Sequence, residues 1–165
     1  MIKASALSLI LLICTLSGFF KTYSLKRRVK ELETLSRYIE KIMLEIRFSM
    51  KPIPVILERI GNVSLPLLNE ILYIDKNNTM KDIYCKAKQI TKNQMFLIND
   101  DWAVIDIFFP ALGNSDLEGQ LSLCENTLIL LEKQIKQAET INNKYSKMYS
   151  STGFLIGLFI VIIFI

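Results

Sequence analysis

The 165-residue sequence lacks histidine altogether, which excludes Ser/His or Cys/His nucleophilic catalysis and any histidine-bound metal. It has only three cysteines, and Cys14, Cys85 and Cys124 are too far apart in sequence for a zinc motif or a CxxC redox pair. Because Cys85 and Cys124 each fall on an apolar helical stripe, we expect both to be reduced core residues. The chain also has no phosphate-binding glycine loop. We therefore expect no enzyme activity, no cofactor, no metal site and no small-molecule substrate.

Positive charge is concentrated next to the first apolar segment of the chain. The net charge is +4, and residues 21–51 carry nine basic and four acidic side chains, whereas residues 52–149 carry ten and twelve. A basic cluster in this position suits anionic phospholipid headgroups better than nucleic acid, which favours a basic face interleaved with aromatic residues. We expect membrane lipids, and not nucleic acid, to be a partner.

The amino-terminal apolar segment is predicted to be a transmembrane helix over residues 1–20. Residues 4–20 are seventeen uncharged residues, enough for a helix of about 26 Å. A cleaved signal peptide is the alternative, but a dense basic flank follows the segment and opposes translocation. This flank is formed by Lys26, Arg27, Arg28 and Lys30. It predicts that the residues after the first span stay in the cytoplasm.

The carboxyl-terminal segment is predicted to be a second transmembrane helix over residues 150–165. Its thirteen residues 153–165 are short for a crossing, and residues 149–152 extend the uncharged run to seventeen. Partial insertion is the alternative, and the sequence leaves both readings open. Gly153 and Gly157 have the GxxxG spacing that permits close helix packing in lipid.

The residues between these segments, 21–149, are predicted to form a cytoplasmic helical bundle. Apolar residues alternate in steps of four and three from Leu25 to Met50, and Leu35 and Ile42 widen this stripe. Proline ends the helix at Pro52-Ile53-Pro54. A similar heptad pattern runs from Leu117 to Tyr149, directly into the last apolar segment. We expect the two long helices to form an antiparallel coiled-coil stalk.

Shorter helices are predicted between the two long ones. The first covers residues 55–60 and stops at Gly61, and the second covers residues 64–74 with Pro66 in its first turn. Thr79 and Asp82 are spaced as a capping box for a third helix. Asn99 can cap a fourth, with Trp102 as a core anchor, and Pro110 and Gly113 end it. The predicted fold class is all-α, a membrane-anchored bundle with a coiled-coil stalk and a transmembrane helix at each end.

Several motifs, in a specific order, resemble the stage III sporulation AB family of endospore-forming bacteria. The resemblance covers nearly the whole chain. Its parts are the basic helix after the first span, Glu45-Ile46-Arg47-Phe48 leading to Pro52-Ile53-Pro54, Leu112-Gly113-Asn114-Ser115-Asp116 with Gln120, and Lys147-Met148-Tyr149 followed by Gly153-Phe154-Leu155-Ile156-Gly157-Leu158. The chain departs from the family pattern at Phe109 and Pro110, where a glycine is expected.

The resemblance implies a component of the multiprotein channel that joins mother cell and forespore. The family is similar to the inner-membrane platform proteins of type II secretion and type IV pilus systems, which do not catalyse a reaction. Such a platform couples a cytoplasmic secretion ATPase to the membrane assembly. The implied partners are the stage III sporulation AA ATPase and other proteins of the sporulation channel complex. The implied location is the outer forespore membrane, in a two-pass arrangement with the central domain in the mother-cell cytoplasm.

The resemblance also marks individual residues, which we call the signature residues. Gly113 can end one helix in a left-handed conformation, and Ser115 or Asp116 can cap the next. The full set is Glu45, Pro52, Pro54, Gly113, Ser115, Asp116 and Gln120.

Acidic residues are frequent near this turn, and we call them the acidic set. They are Asp100, Asp101, Asp106, Asp116 and Glu118. Capping and solvation explain most of these charges, but together they also predict a surface that attracts a basic face of the ATPase. A membrane-anchored coiled coil that organises lipids without an ATPase partner is the alternative function.

Overall fold

In the computed structural model, residues 2–49, 51–61, 64–74 and 79–164 are described. Within the helices, the described side chains do not include those of residues 2–11, 14, 147, 150, 153, 154, 157, 161, 163 and 164. Every regular element of the described residues is helical, which confirms the all-α class. The elements are α1 (Ile2–Ser49), α2 (Ile53–Ile60), α3 (Pro66–Tyr73), α4 (Met80–Thr91), a 3₁₀ helix (Lys92–Gln94), α5 (Asn99–Ala111) and α6 (Leu117–Phe164).

The chain divides into two compact units. One unit is Lys30–Lys136, and the other combines Met1–Val29 with Gln137–Ile165. Both long helices contribute to each unit, because α1 and α6 are 48 residues long each. The predicted boundaries at residues 20 and 149 therefore fall inside continuous helices.

In the unit Lys30–Lys136, the buried face of α1 is wider than the predicted stripe. Leu32, Ile39 and Ile46 are buried as predicted, and Leu35 and Ile42, which were expected to widen the stripe, are fully buried as well. Ser36 and Met43 are half-buried. Two different neighbours explain the broad face. The backbone N–H of Phe96, before α5, donates to the carboxylate of Glu31, and α6 lies alongside the later part of α1. Met50, the last residue of the predicted stripe, lies outside the described residues.

The first turns of α6 pack against the last turns of α1. Arg47 near the end of α1 forms an ion pair with Glu125 near the start of α6, with 3.7 Å between the charged atoms. Contact between the end of one helix and the start of another is expected for antiparallel helices. Cys124 and Leu131 are fully buried, as the heptad pattern predicts. The stripe differs at its start, because Gln120 is buried while Leu117 is 44% exposed.

Local signals act as predicted in α2, α3 and α4, although α2 begins at Ile53 and not at residue 55, and α3 covers Pro66–Tyr73 and not residues 64–74. Gly61, at φ +72°, ends α2, and Pro66 is the first residue of α3. The hydroxyl of Thr79 accepts a hydrogen bond from the N–H of Asp82 and caps α4. For α5 the capping residue is Ile98, not Asn99, and the carboxylate of Asp101 accepts from the N–H of Ile98.

Aromatic packing joins α4 to α5. The ring of Phe109 stacks on Tyr84 with centroids 5.5 Å apart and meets Phe108 edge-on at 5.1 Å. Trp102 is buried as predicted. α5 continues past Pro110 for one residue and ends at Ala111.

The expectation that Cys85 lies in the core is wrong, whereas the expectation that it is reduced is confirmed. Cys124 is buried and reduced, but Cys85 is an exposed free thiol. The buried side of α4 is formed instead by Ile83, Tyr84, Ala87 and Thr91. Since Cys85 follows Tyr84 by a single residue, it is rotated by about 100° around the helix, away from that core.

In the second unit, a side chain of α1 bonds to the backbone of α6. The hydroxyl of Thr22 donates to the carbonyl of Ser146 at 3.0 Å. Tyr145 and Tyr149 pack with ring centroids 6.1 Å apart, and the Lys144 ammonium is 5.1 Å from the Tyr145 centroid. Of the basic flank in this unit, Lys26 is exposed, while Arg28 is 5% exposed.

Among the described residues, no helix is both long and apolar enough to cross a membrane. The predicted transmembrane helices at residues 1–20 and 150–165 are therefore not confirmed. Gly153 and Gly157 were predicted to allow close helix packing, and both residues lie outside those whose side chains are described.

Candidate docking cleft

The unit Lys30–Lys136 contains a cleft in which sequence-distant signature residues meet. Its volume is about 670 Å³. Five signature residues line it, and they come from two segments about 60 residues apart. These five are Pro52, Pro54, Gly113, Ser115 and Gln120.

The bend between α1 and α2 forms one wall. Pro52 precedes α2 with an extended backbone, and its carbonyl accepts from the N–H groups of Val55 and Ile56. Pro54 is tolerated in the first helical turn because its missing N–H has no partner there. The signature residue Glu45 lies outside the cleft lining and braces the bend, since its carboxylate pairs with Arg59 at 3.0 Å.

The turn between α5 and α6 forms the facing wall. Gly113 has φ +88°, a conformation that favours glycine. A Cβ at Gly113 would lie 3.4 Å from Cγ1 of Ile53, so the turn packs closely on the bend between α1 and α2. The role predicted for Gly113, ending one helix in a left-handed conformation, is confirmed.

A buried amide fixes this turn. Gln120 is 4% exposed, its Oε1 accepts from the N–H of Gly113 at 2.9 Å, and its Nε2 donates to Oγ of Ser115 at 2.7 Å. Asp116 caps α6, because its Oδ1 accepts from the N–H of Gly119 at 3.0 Å. These bonds give four of the signature residues, Gly113, Ser115, Asp116 and Gln120, a local structural role.

Two contributions are absent from the sequence predictions, one to the turn and one to the cleft. A Cβ at Gly119 would lie 2.8 Å from Oδ1 of Asp116 and 2.8 Å from Oγ of Ser115, so these two side chains would have to move to admit it. Helices α3 and α4 complete the cleft through Ile71, Leu72, Met80 and Ile83. Helical spacing marked the α4 residues as apolar, but nothing in the sequence indicated which partner they face.

The chemistry of the lining is that of a binding surface. Most of the lining side chains are aliphatic, and Lys51 is the only charged one among the described residues of the lining. Within the described part of the chain, no group of Cys, Asp and Glu side chains is arranged to hold a metal ion. Apolar lining with a few polar groups is typical of sites that bind by shape and burial.

The structure divides the acidic set into residues with different roles. Asp101 is 0% exposed and caps α5, so it offers no surface to a partner. Asp116 is exposed but holds the α6 cap. Asp100 and Glu118 are exposed in the first turns of α5 and α6.

Asp106, the fifth acidic residue, is bound within the fold. Its Oδ1 accepts hydrogen bonds from the Tyr84 hydroxyl and from the Lys88 ammonium, which also lies 5.3 Å from the ring centroid of Trp102. Burial alone raises the pKa of Asp106, but the bonds from Lys88 and Tyr84 outweigh burial and leave the pKa below its usual value. For Tyr84, burial and then the bond to Asp106 raise the pKa. This network joins α4 to α5.

The Asp106 network predicts a pH-dependent stability. Because the folded-state pKa of Asp106 lies below the unfolded value, its stabilisation is present above about pH 4 and is lost as the pH falls through the folded pKa. Wild type is expected to exceed Asp106→Asn in unfolding free energy at pH 7, with the difference shrinking below about pH 4. Urea unfolding across this pH range measures it. Asp100→Asn is the control, and an equal, pH-independent difference for both variants would contradict the prediction.

The buried amide predicts a second result. Gln120→Leu keeps roughly the same side-chain volume but leaves the Gly113 N–H without its acceptor. We expect this loss to lower the unfolding free energy by about 1–3 kcal/mol. Gln94→Leu is the matched control, because Gln94 is exposed and makes one 3.4 Å bond within its own turn. Urea unfolding compares the two variants. Equal effects would show that the Gln120 amide does not hold the turn.

The comparisons with known proteins agree with the motifs around the cleft. Residues 3–165 match the family model described as stage III sporulation protein AB. Neither the curated proteins nor the solved structures yielded a match to this chain. Because the family match extends over nearly all of the sequence, this chain belongs to the stage III sporulation protein AB family.

Proposed function

We propose that this protein is a non-catalytic platform component of a membrane-spanning, type II secretion-like sporulation complex between mother cell and forespore. In this role it couples the stage III sporulation AA ATPase to the membrane assembly. One observation carries the proposal: five of the seven signature residues line a single open, mainly apolar cleft. A purely structural role for these residues would not require an open cleft.

The proposed location is the outer forespore membrane, with the unit Lys30–Lys136 in the mother-cell cytoplasm. The uncharged runs at residues 4–20 and 149–165 are the proposed anchors. The exposed Lys26 and Lys30 support this direction, since basic residues beside a span favour the cytoplasmic side. Because Arg28 is buried, only the other residues of the basic flank can contact lipid headgroups.

The cleft and the exposed acidic residues together form the proposed ATPase contact. Asp100 and Glu118 remain available for electrostatic steering of a basic surface. Asp101 does not belong to this contact because it is buried. The predicted docking surface is therefore smaller than the acidic set.

A lipid-organising protein without an ATPase partner is the second candidate. It is favoured by the cation–aromatic pairs of the unit Met1–Val29 with Gln137–Ile165. The guanidinium of Arg27 lies 5.9 Å from the Tyr23 centroid, and Lys144 lies over Tyr145. Such pairs suit the headgroup level of a bilayer. This candidate requires binding to anionic vesicles and no stable protein partner.

Binding of the purified AA ATPase to the full chain in anionic nanodiscs tests the proposed function. We expect wild type to bind, and the double charge reversal Asp100→Lys with Glu118→Lys to weaken binding about tenfold at low salt. The control is Glu40→Lys with Glu139→Lys, two exposed carboxylates outside the acidic set. Absence of ATPase binding to wild type, with vesicle binding retained, would favour the lipid-organising candidate.

A further inference from the structure

We propose that two copies of this chain associate face to face, with the outer face of α1 in each copy packed along the outer face of α6 in the other. The contact lies in the unit Lys30–Lys136. It uses no residue that lines the cleft and none of the acidic set, so it goes beyond the proposed function and does not depend on it.

The last turns of α1 expose large apolar side chains on one face. Leu44 is 49% exposed and Phe48 is 80% exposed. Lys41 is also exposed and belongs to the same face, because residues three and four apart are neighbours on a helix. Clustered exposed apolar residues with polar neighbours are typical of protein–protein contacts. We call Lys41, Leu44 and Phe48 the α1 stripe.

Helix α6 exposes a stripe with the same spacing and the opposite charge. Glu125, Ile129 and Glu132 follow one another in steps of four and three, and all three are exposed. Ile129, in the middle, is 65% exposed. We call these residues the α6 stripe. It has an apolar centre and carboxylates on both sides, whereas the α1 stripe has an ammonium at one end.

The apolar parts of the two stripes lie at the same level of the unit. The ion pair between Arg47 and Glu125 sets the register of the two antiparallel helices. Leu44 lies three residues before Arg47, and Ile129 lies four residues after Glu125. The levels of Leu44 and Ile129 therefore differ by one residue, which is about 1.5 Å along a helix.

The charged parts of the stripes match in the same register. Lys41 lies three residues before Leu44, and Glu132 lies three residues after Ile129, so the ammonium and the carboxylate are level as well. Glu132 already pairs with Lys136 of its own helix, but an exposed pair of this kind is weak and leaves the carboxylate accessible. The next level joins Arg37 and Lys136, which are both basic, and we expect the matched segment to end there.

These matches favour a second copy as the partner. The exposed ion pair of Arg47 and Glu125 lies between the two stripes, so both stripes border the same surface of one chain. A two-fold contact uses the same surface on both copies, and each pairing is then made twice. An axis parallel to the helices keeps residues of equal level opposite one another. It also leaves both copies pointing the same way, as anchors in one membrane require.

Two isoleucines of similar exposure test the apolar centre. Ile129 is 65% exposed and belongs to the α6 stripe, whereas Ile107 is 61% exposed and belongs to α5. Ile129→Ser is expected to weaken self-association about tenfold, and Ile107→Ser to leave it within about twofold. Sedimentation equilibrium of the full chain in density-matched detergent measures both. Equal effects of the two substitutions on a stable dimer would place the contact elsewhere and overturn the inference.

Charge reversal tests the pairing of Lys41 with Glu132. Lys41→Glu and Glu132→Lys are each expected to weaken self-association about tenfold at low salt, because each pairing occurs twice in the dimer. The chain with both reversals is expected to recover to within about threefold of wild type. At about 1 M salt the differences are expected to shrink. No recovery in the double variant would show that these two residues do not face each other.

Disulfide formation between copies tests the register itself. Chains without native cysteines are mixed, one with Lys41→Cys and the other with Glu132→Cys, and oxidised in detergent. A disulfide between the two chains is expected, identified by mass spectrometry. The control replaces Glu132→Cys by Ser122→Cys, an exposed position of α6 about 15 Å away along the helix. Equal yields with the two partners would contradict the register.

The outcomes separate this inference from the proposed function. If the wild-type chain stays monomeric at all concentrations yet binds the ATPase, the inference is overturned and the platform function stands. If it forms the dimer with the expected effects but binds no ATPase, the inference stands and the platform function fails.

Discussion

The buried amide of Gln120 is the interaction on which the cleft depends. It binds the N–H of Gly113 and the hydroxyl of Ser115, and so fixes the turn that packs on Ile53. An amide side chain suits this task because it supplies an acceptor and a donor together. Buried polar groups that are fully paired specify one arrangement, whereas a missing partner is costly. The bend between α1 and α2, which contains Pro52 and Pro54, forms the other wall and packs against this turn.

Most of the acidic residues near the cleft also satisfy hydrogen bonds within the fold. Asp101 and Asp116 cap helices, and Asp106 binds Lys88 and Tyr84, so three carboxylates stabilise the fold. Exposed residues such as Glu118 add charge near the cleft without a structural duty of that kind. In the proposed platform, stable helices therefore present a small, mainly apolar surface to the ATPase.

Sequence patterns predicted the helices well because caps and prolines act locally. Thr79 and Gly61 mark helix ends through bonds and dihedrals of a few neighbouring residues. Burial depends on distant neighbours, and this explains why Cys85 was assigned to the core and why the buried face of α1 is wider than the predicted stripe. The cleft was beyond prediction for the same reason. The sequence predicted the proline bend at Pro52-Ile53-Pro54 and the turn at Gly113 as separate features. Their contact, between Ile53 and Gly113, is visible only in the folded chain.

A disulfide test of this contact addresses the central claim most directly. A Cβ at Gly113 would lie 3.8 Å from Cβ of Ile53, within the range that a disulfide spans. In a chain without its native cysteines, Ile53→Cys with Gly113→Cys is predicted to form an intrachain disulfide on mild oxidation, detected by mass spectrometry. The pair Ile53→Cys with Ile107→Cys, which uses an exposed position of α5, is the control. Equal disulfide yields for the two pairs would contradict the proposed convergence of the two segments on one cleft.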